Sequence, residues 1–259
     1  MISLSIAGGV AEVVLDAPHK LNSLDEQALA DLSRAYDDAA DAAERGEVRA
    51  LLLRGAGRAF CAGRDIAGVT PESDDAQAYL GGLVQPLLKK MSAFPAPTFA
   101  AAQGACLGVG LGLLLATDVV YVAENAKFGS PFAKLGATLD SGGHWYFTER
   151  LGMHRTLDLI YTAELMSGAD AVAQGLFSRA MPAADLLEAT RAIVATVAAG
   201  ATEAFRASKE LVAHIRDQRL GLWAAMEEEN AEQARLCKSE DYAEGFRAFQ
   251  EKRSPVFRG

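Results

Sequence analysis

The 259 residues are half hydrophobic, enough for one large α/β domain, or one domain with a helical appendage, around a sizeable core. With 34 acidic against 25 basic residues the formal charge is −9, which argues against a general nucleic-acid or membrane surface and leaves an anionic ligand dependent on local donors. Cys61, Cys106 and Cys237 lack C-x-x-C pairing, the histidines at 19, 144, 154 and 214 lack ligand spacing, and no apolar run nears the roughly 20 residues that span a bilayer, so no disulfide framework, metal site or membrane segment is expected.

Residues 2 to 6 alternate I-S-L-S-I, Gly8-Gly9 can turn, and Val10 to Leu15 resume an apolar run, which predicts a β-hairpin. Ser23 and Glu26 match a capping box ahead of a helix from Leu24 to Ala43, where Leu24, Ala28, Leu32, Ala35 and Ala39 recur at helical spacing. Val48 to Leu53 reads as a buried strand running into the loop RGAGRAFCAGRD, and a helix is predicted from Ala76 to Ser92. Pro95 and Pro97 break the chain before a strand, Thr98 to Ala102, which enters a glycine turn at Gly104 and a helix; Asp118 leads to a further strand, Val119 to Ala123. From Gly142 onward the pattern reads as almost wholly helical, with breaks at Gly152, Gly168, Gly175, Pro182, Gly200 and near Gly221. The whole reads as an α/β core with a helical tail, whose stripes such as Leu211, Ile215, Leu222 and Met226 need a partner surface.

Glycines 104, 108, 110 and 112 run straight into an apolar helix, a junction whose unpaired N–H groups suit an anion, or one that is forming. A Walker loop would follow its last glycine with Lys and Ser/Thr, whereas Leu113 to Leu115 follow here, and Gly108, Gly110 and Gly112 do not give the dinucleotide spacing G-x-G-x-x-G. On this segment alone a catalytic role and mere close helix packing stand side by side.

AFCAGRD (59–65), P-x-x-x-x-x-Q-G-A-x-x-G-x-G (97–110), AKFGSPFAKLG (126–136), RLGMHRTLDLIYTAELMSGADAVAQGLFSRAMP (150–182) and SEDYAEGFRAFQEKRSPVFRG (239–259) together resemble the enoyl-CoA hydratase/isomerase, or crotonase, superfamily over nearly the whole chain. The resemblance implies a spiral of ββα units over residues 1–199 and a helical region, 200–259, that covers CoA and joins subunits into a homotrimer or a dimer of trimers. It also implies an acyl-CoA thioester as substrate, with CoA as part of that substrate and no separate cofactor. A chain start without a signal-peptide pattern and the unpaired cysteines lead us to expect a cytoplasmic protein.

By the same resemblance the backbone N–H groups of Arg64 and Val109 hold the thioester oxygen, Val109 standing where the family has the middle glycine of a G-G-G run. Such preorganised donors stabilise a developing enolate by roughly 3 kcal/mol each. Leu21, Ala62, Gly63, Asp65, Ile66 and Gly108 are the CoA-binding positions, with Lys20 and Lys252 as candidate phosphate contacts or, equally, ordinary surface lysines. The two glutamates that move water's protons in hydratases fall at Gly112 and Phe132, neither of which can carry a proton. Asp140 remains, at a position where dienoyl-CoA isomerases, chlorobenzoyl-CoA dehalogenase and the ring-opened epoxyphenylacetyl-CoA isomerase have an aspartate, the last being the type this sequence resembles most. Leu139 and the acyl-pocket residues Phe132 and Trp145 are expected to desolvate Asp140 and raise its pKa. The competing reading is that Asp140 caps the next helix. Hydration by atypical residues, a dehalogenase nucleophile, an Asp140–Ser141–His144 hydrolase and a silent acyl-CoA-binding homologue are the other readings weighed.

Overall fold

In the computed structural model, which describes residues 1–259, β1 (Ile2–Ala7) and β2 (Val10–Leu15) form the expected antiparallel hairpin, with Ala7 opposite Val10. Gly8 and Gly9 both take positive φ, the geometry that matches a two-residue turn to the twist of its strands. The large sheet then continues in parallel through β3 (Ala50–Gly55), β4 (Thr98–Ala102), β6 (Val119–Ala123) and β9 (Arg179–Met181), in the order β1-β2-β3-β4-β6-β9. Strands covered on both faces need continuous apolar runs, and Leu51, Leu52 and Leu53 on β3 and Ala100 to Ala102 on β4 are all buried.

A second sheet of three short strands pairs β5 (Ala105–Leu107) parallel to β7 (Lys127–Gly129) and β7 antiparallel to β8 (Met166–Ser167). The units β4–β5–α3, with α3 at Val109–Leu115, and β6–β7–α4, with α4 at Gly143–Thr162, each send their first strand to the large sheet and their second to the small one. This is the α/β spiral of ββα units that the resemblance implies.

Several elements differ from expectation for definable reasons. Helix α1 is Glu26–Glu44 and is capped by Asp25, whose side chain accepts from the Ala28 N–H, rather than by Ser23. Leu24 cannot begin the helix because its N–H donates to Gly63 O and its carbonyl accepts from Asp65 N–H. The predicted 76–92 helix contains a π-helical stretch, Ala78–Val84, running into α2 (Gln85–Ser92). Pro86 offers no N–H, and the wider turn, in which Gln85 N–H reaches back to Leu80 O, absorbs it. The glycine turn leads first into β5, so the helix starts at Val109. The stretch after Gly142 is not wholly helical: β8 and β9, of two and three residues, are too short for alternation to reveal.

Helices α5 (Gly168–Ala173) and α6 (Leu186–Ala198) follow, and after Gly200 come α7 (Thr202–Gln218), α8 (Leu222–Leu236) and α9 (Glu240–Glu251). Helix α7 is tied to the sheet by Arg206 donating to Pro95 O and by a 2.9 Å ion pair of Lys209 with Asp118. No helix is long and apolar enough to cross a membrane.

Candidate active site

The loops that follow β3 and β4 are joined as a short parallel ladder. Cys61 N–H donates to Ala105 O, and Leu107 N–H to Cys61 O, both at 3.0 Å. Gly110 then lies so close to this loop that a Cβ on it would stand 2.5 Å from Cys61 O, so only glycine lets α3 start here. Gly108 turns the chain into α3 at φ 50° and ψ −122°. Leu24 bonds the loop on both sides of Arg64, through Gly63 O and Asp65 N–H, so the peptide N–H of Arg64 points away from it. The N–H groups of Arg64 and of Val109, the first residue of α3, make no hydrogen bond within the chain. The Val109 side chain is 1% exposed and belongs to the core cluster, so the substitution for glycine adds bulk inward.

Asp140 lies between the turn Pro131–Leu135 and α4. Its Oδ1 accepts from Ser141 Oγ at 2.8 Å. Burial pushes its carboxyl above the ordinary carboxylate range; the Ser141 hydroxyl and the charges of Arg64 and His144 pull the other way, and burial wins. Gly142 is the N-cap of α4 and no side chain caps that helix, so the capping role does not account for Asp140. A Cβ on Gly112 would meet Ser141 Cβ at 2.5 Å and Ser141 O at 3.1 Å. The place where hydratases carry one glutamate therefore has no room for any side chain. At the other such place the ring of Phe132 lies against the Gly108 turn, where a Cβ would be 3.1 Å from its Cζ.

A cavity of about 1020 Å³ opens beside Gly112 and Ser141, between the π-helical stretch (Leu80, Val84) and α7. Neither acyl-pocket candidate lines this cavity: Phe132 lies against the Gly108 turn, and Trp145 is 40% exposed, packed edge-on against Tyr146 and under Arg216, while Tyr146 is the ring that lines it. Helical rotation by one residue turns the Trp145 and Tyr146 rings to different sides. Nor do Asp140, Ser141 and His144 form a triad. The serine donates to the aspartate, while His144 Nε2 sits 3.3 Å from Thr138 Oγ1. Cys61 is fully buried and its thiol is pushed up to about 12 by burial, which leaves it inert beside the loop.

Leu21, itself at φ 53°, accepts the Ala62 N–H, and Gly63 at φ 98° brings the loop against Leu107 O. The carbonyls of Ala62 and Asp65 and the N–H of Ile66 have no partner in the chain, so backbone groups are open where the adenine end of CoA is expected. Lys20 is not an ordinary surface lysine: it pairs with Asp65 at 2.8 Å and Asp25 at 3.0 Å, partners that outweigh desolvation and raise its pKa. Lys252 is brought to none of these groups; it is an exposed residue at the C-cap of α9.

Two residues escaped the sequence reading. Asn22, 1% exposed at φ 56°, accepts from Ala17 N–H and donates to the carbonyls of Ala56, Ala59 and Phe60, which fixes the loop from inside. Its signal was an asparagine, a residue tolerant of that backbone region, a few residues after a proline. Tyr79 donates to Leu24 O and lies 4.2 Å beneath the Arg64 guanidinium, itself paired with Asp74; nothing local in the sequence marks it.

The profile of the enoyl-CoA hydratase/isomerase family matches residues 5–259. A Rhodobacter capsulatus protein named "Probable enoyl-CoA hydratase" is 35% identical over 100% of this chain and 98% of its own. The 1,2-epoxyphenylacetyl-CoA isomerase of Escherichia coli is 30% identical over 97% and 95%. Among solved structures, an enoyl-CoA hydratase of Bacillus anthracis superposes with a TM-score of 0.90 at 28% identity, covering 100% of this chain and 99% of that one.

Proposed function

The chain belongs to the enoyl-CoA hydratase/isomerase family, and we propose that within it this protein is an acyl-CoA double-bond isomerase that works with Asp140 as its one base. The observation that carries this reading is the lone desolvated carboxylate, Asp140, in a site where the Gly112 position is closed by Ser141 and the Phe132 position holds a phenyl ring. The thioester oxygen accepts from the Arg64 and Val109 N–H groups, which stabilise the enolate as it forms. Asp140 takes the proton from C2 of a 3-enoyl-CoA and returns it to C4, so the double bond moves into conjugation and no atom is gained or lost. The free carbonyls of Ala62 and Asp65 receive the adenine end of CoA, with Lys20 steadying that loop through Asp65. The protein self-associates through its last helices, as the family resemblance implies.

Hydration is the second reading, because the R. capsulatus relative bears a hydratase name. It would need proton carriers other than the two usual glutamates. The two readings separate when matched 2-enoyl- and 3-enoyl-CoA are incubated with the wild type and Asp140→Asn, double-bond position being followed by NMR. A shift of the double bond by the wild type, reduced about 10³-fold in the variant, is expected. An Asp140→Asn protein that isomerises at the wild-type rate removes Asp140 from the chemistry, and turnover of no substrate by either protein favours a silent acyl-CoA binder.

A further inference from the structure

Ser141 touches two things at once. Its hydroxyl donates to Asp140 Oδ1, and its Cβ fills the space that a side chain on Gly112 would need. To do so it adopts φ 53°, a left-handed conformation that L-residues other than glycine and asparagine rarely take, and Gly142 follows at φ 83°. A backbone held in such a region persists only where the surroundings over-determine it. Here the Gly143 N–H donates to Asp140 O at 2.9 Å, closing the turn around the serine.

We propose that Ser141 is a positioning residue: it ties down one oxygen of the Asp140 carboxylate, leaves the other as the proton-carrying atom, and closes the neighbouring place to a second acid. The inference rests on Asp140 being the base. Oδ2 has no hydrogen-bond partner in the chain, so the hydroxyl makes the two oxygens unequal. A proton lifted from one carbon and returned two carbons away needs a carrier that keeps its orientation between the steps, and a carboxylate fixed through Oδ1 pivots less than a free one.

The charged and titratable groups around Asp140 come from three other elements. Arg64, from the loop after β3, is paired with Asp74. His144, from the first turn of α4, sits on Thr138. Tyr79, from the π-helical stretch, is committed to Leu24 O. Ser141 alone donates a hydrogen bond to the carboxylate. Removing it withdraws stabilisation from the charged form, so the Asp140 pKa rises and the acidic limb of the rate profile, where the base must be deprotonated, moves to higher pH.

The test compares pH profiles of kcat and KM on 3-hexenoyl-CoA for the wild type, Ser141→Ala and Ser141→Gly. Glycine suits the left-handed backbone and guards against misfolding of the alanine variant. A kcat about tenfold lower in both variants, the loss one hydrogen bond to a charged group commonly brings, with KM within about twofold and the acidic limb displaced upward, is the expected result. A carbon-13 titration of the Asp140 carboxyl, which needs no substrate, is expected to move the same way. Unchanged kcat and an unmoved carboxyl titration in folded variants overturn the role of Ser141. If Asp140→Asn is dead while both serine variants behave as wild type, the base stands and only this inference falls; if Asp140→Asn is active, the base reading falls first.

Discussion

Asp140 carries a cost that its proposed role makes intelligible. Its folded-state pKa is raised above the unfolded value, so its contribution to stability is present below the unfolded carboxyl pKa of about 4 and is lost as pH rises through the higher folded value. Wherever Asp140 is ionised, the fold holds a charge that burial disfavours. Asp140→Asn keeps an oxygen for Ser141 and removes the charge, so the variant is expected to melt at a higher temperature than the wild type at pH 7. The gain should shrink to nothing below about pH 4, where both side chains are neutral. Melting curves at the two pH values check this, and a variant less stable at pH 7 would contradict the desolvated carboxylate. Greater stability with lost activity is the exchange expected of a site built for chemistry. In the sequence, Asp140 was legible through its family position. Its bond to Ser141 was not, because it depends on the left-handed backbone that Ser141 adopts, and the closure of the Gly112 position was not, because it joins residues about thirty positions apart that only the folded chain brings together.

At the scale of elements, the sequence announces what obeys a period and hides what is made by contact. The hairpin, β4 and β6 appear at their expected residues because apolar runs bounded by Gly, Pro or Asp leave little choice. The start of α1 moved by two residues because Leu24 is claimed by the Gly63–Asp65 backbone, a long-range demand that no local capping rule contains. The same two bonds turn the Arg64 N–H away from Leu24. Similarly, the small sheet of β5, β7 and β8 has strands of two or three residues, yet β5 carries the ladder that sets Val109 beside the Arg64 loop. The π-helical stretch was invisible for a different reason, since its residues read as a plain helix and only Pro86 hints at the wider turn.

For the molecule as a whole, the last two helices and the segment after them expose large apolar side chains. Trp223, Phe246, Phe249 and Val256 are each at least half exposed, and Phe246, Phe249, Tyr242 and Phe257 line one groove of about 490 Å³. Exposed aromatics on this scale are what the proposed self-association would cover. Sedimentation equilibrium is expected to give a mass three or six times the 27.4 kDa chain, and Phe249→Glu to lower it; a wild type that sediments as single chains would refute the proposed self-association. The sequence marked a different set, Leu211, Ile215, Leu222 and Met226, as stripes in need of a partner; these aromatics were not singled out, and the number of copies entered only through the family resemblance.

The central claim is that the site moves a proton and adds no water. The most direct check is to turn over a 3-enoyl-CoA in oxygen-18 water and weigh the product. One carboxylate working beside two N–H donors predicts a conjugated product of unchanged mass, with no label. A product heavier by one labelled water would mean that the site hydrates its substrate, and the assignment of Asp140 as the one base of an isomerase would be wrong.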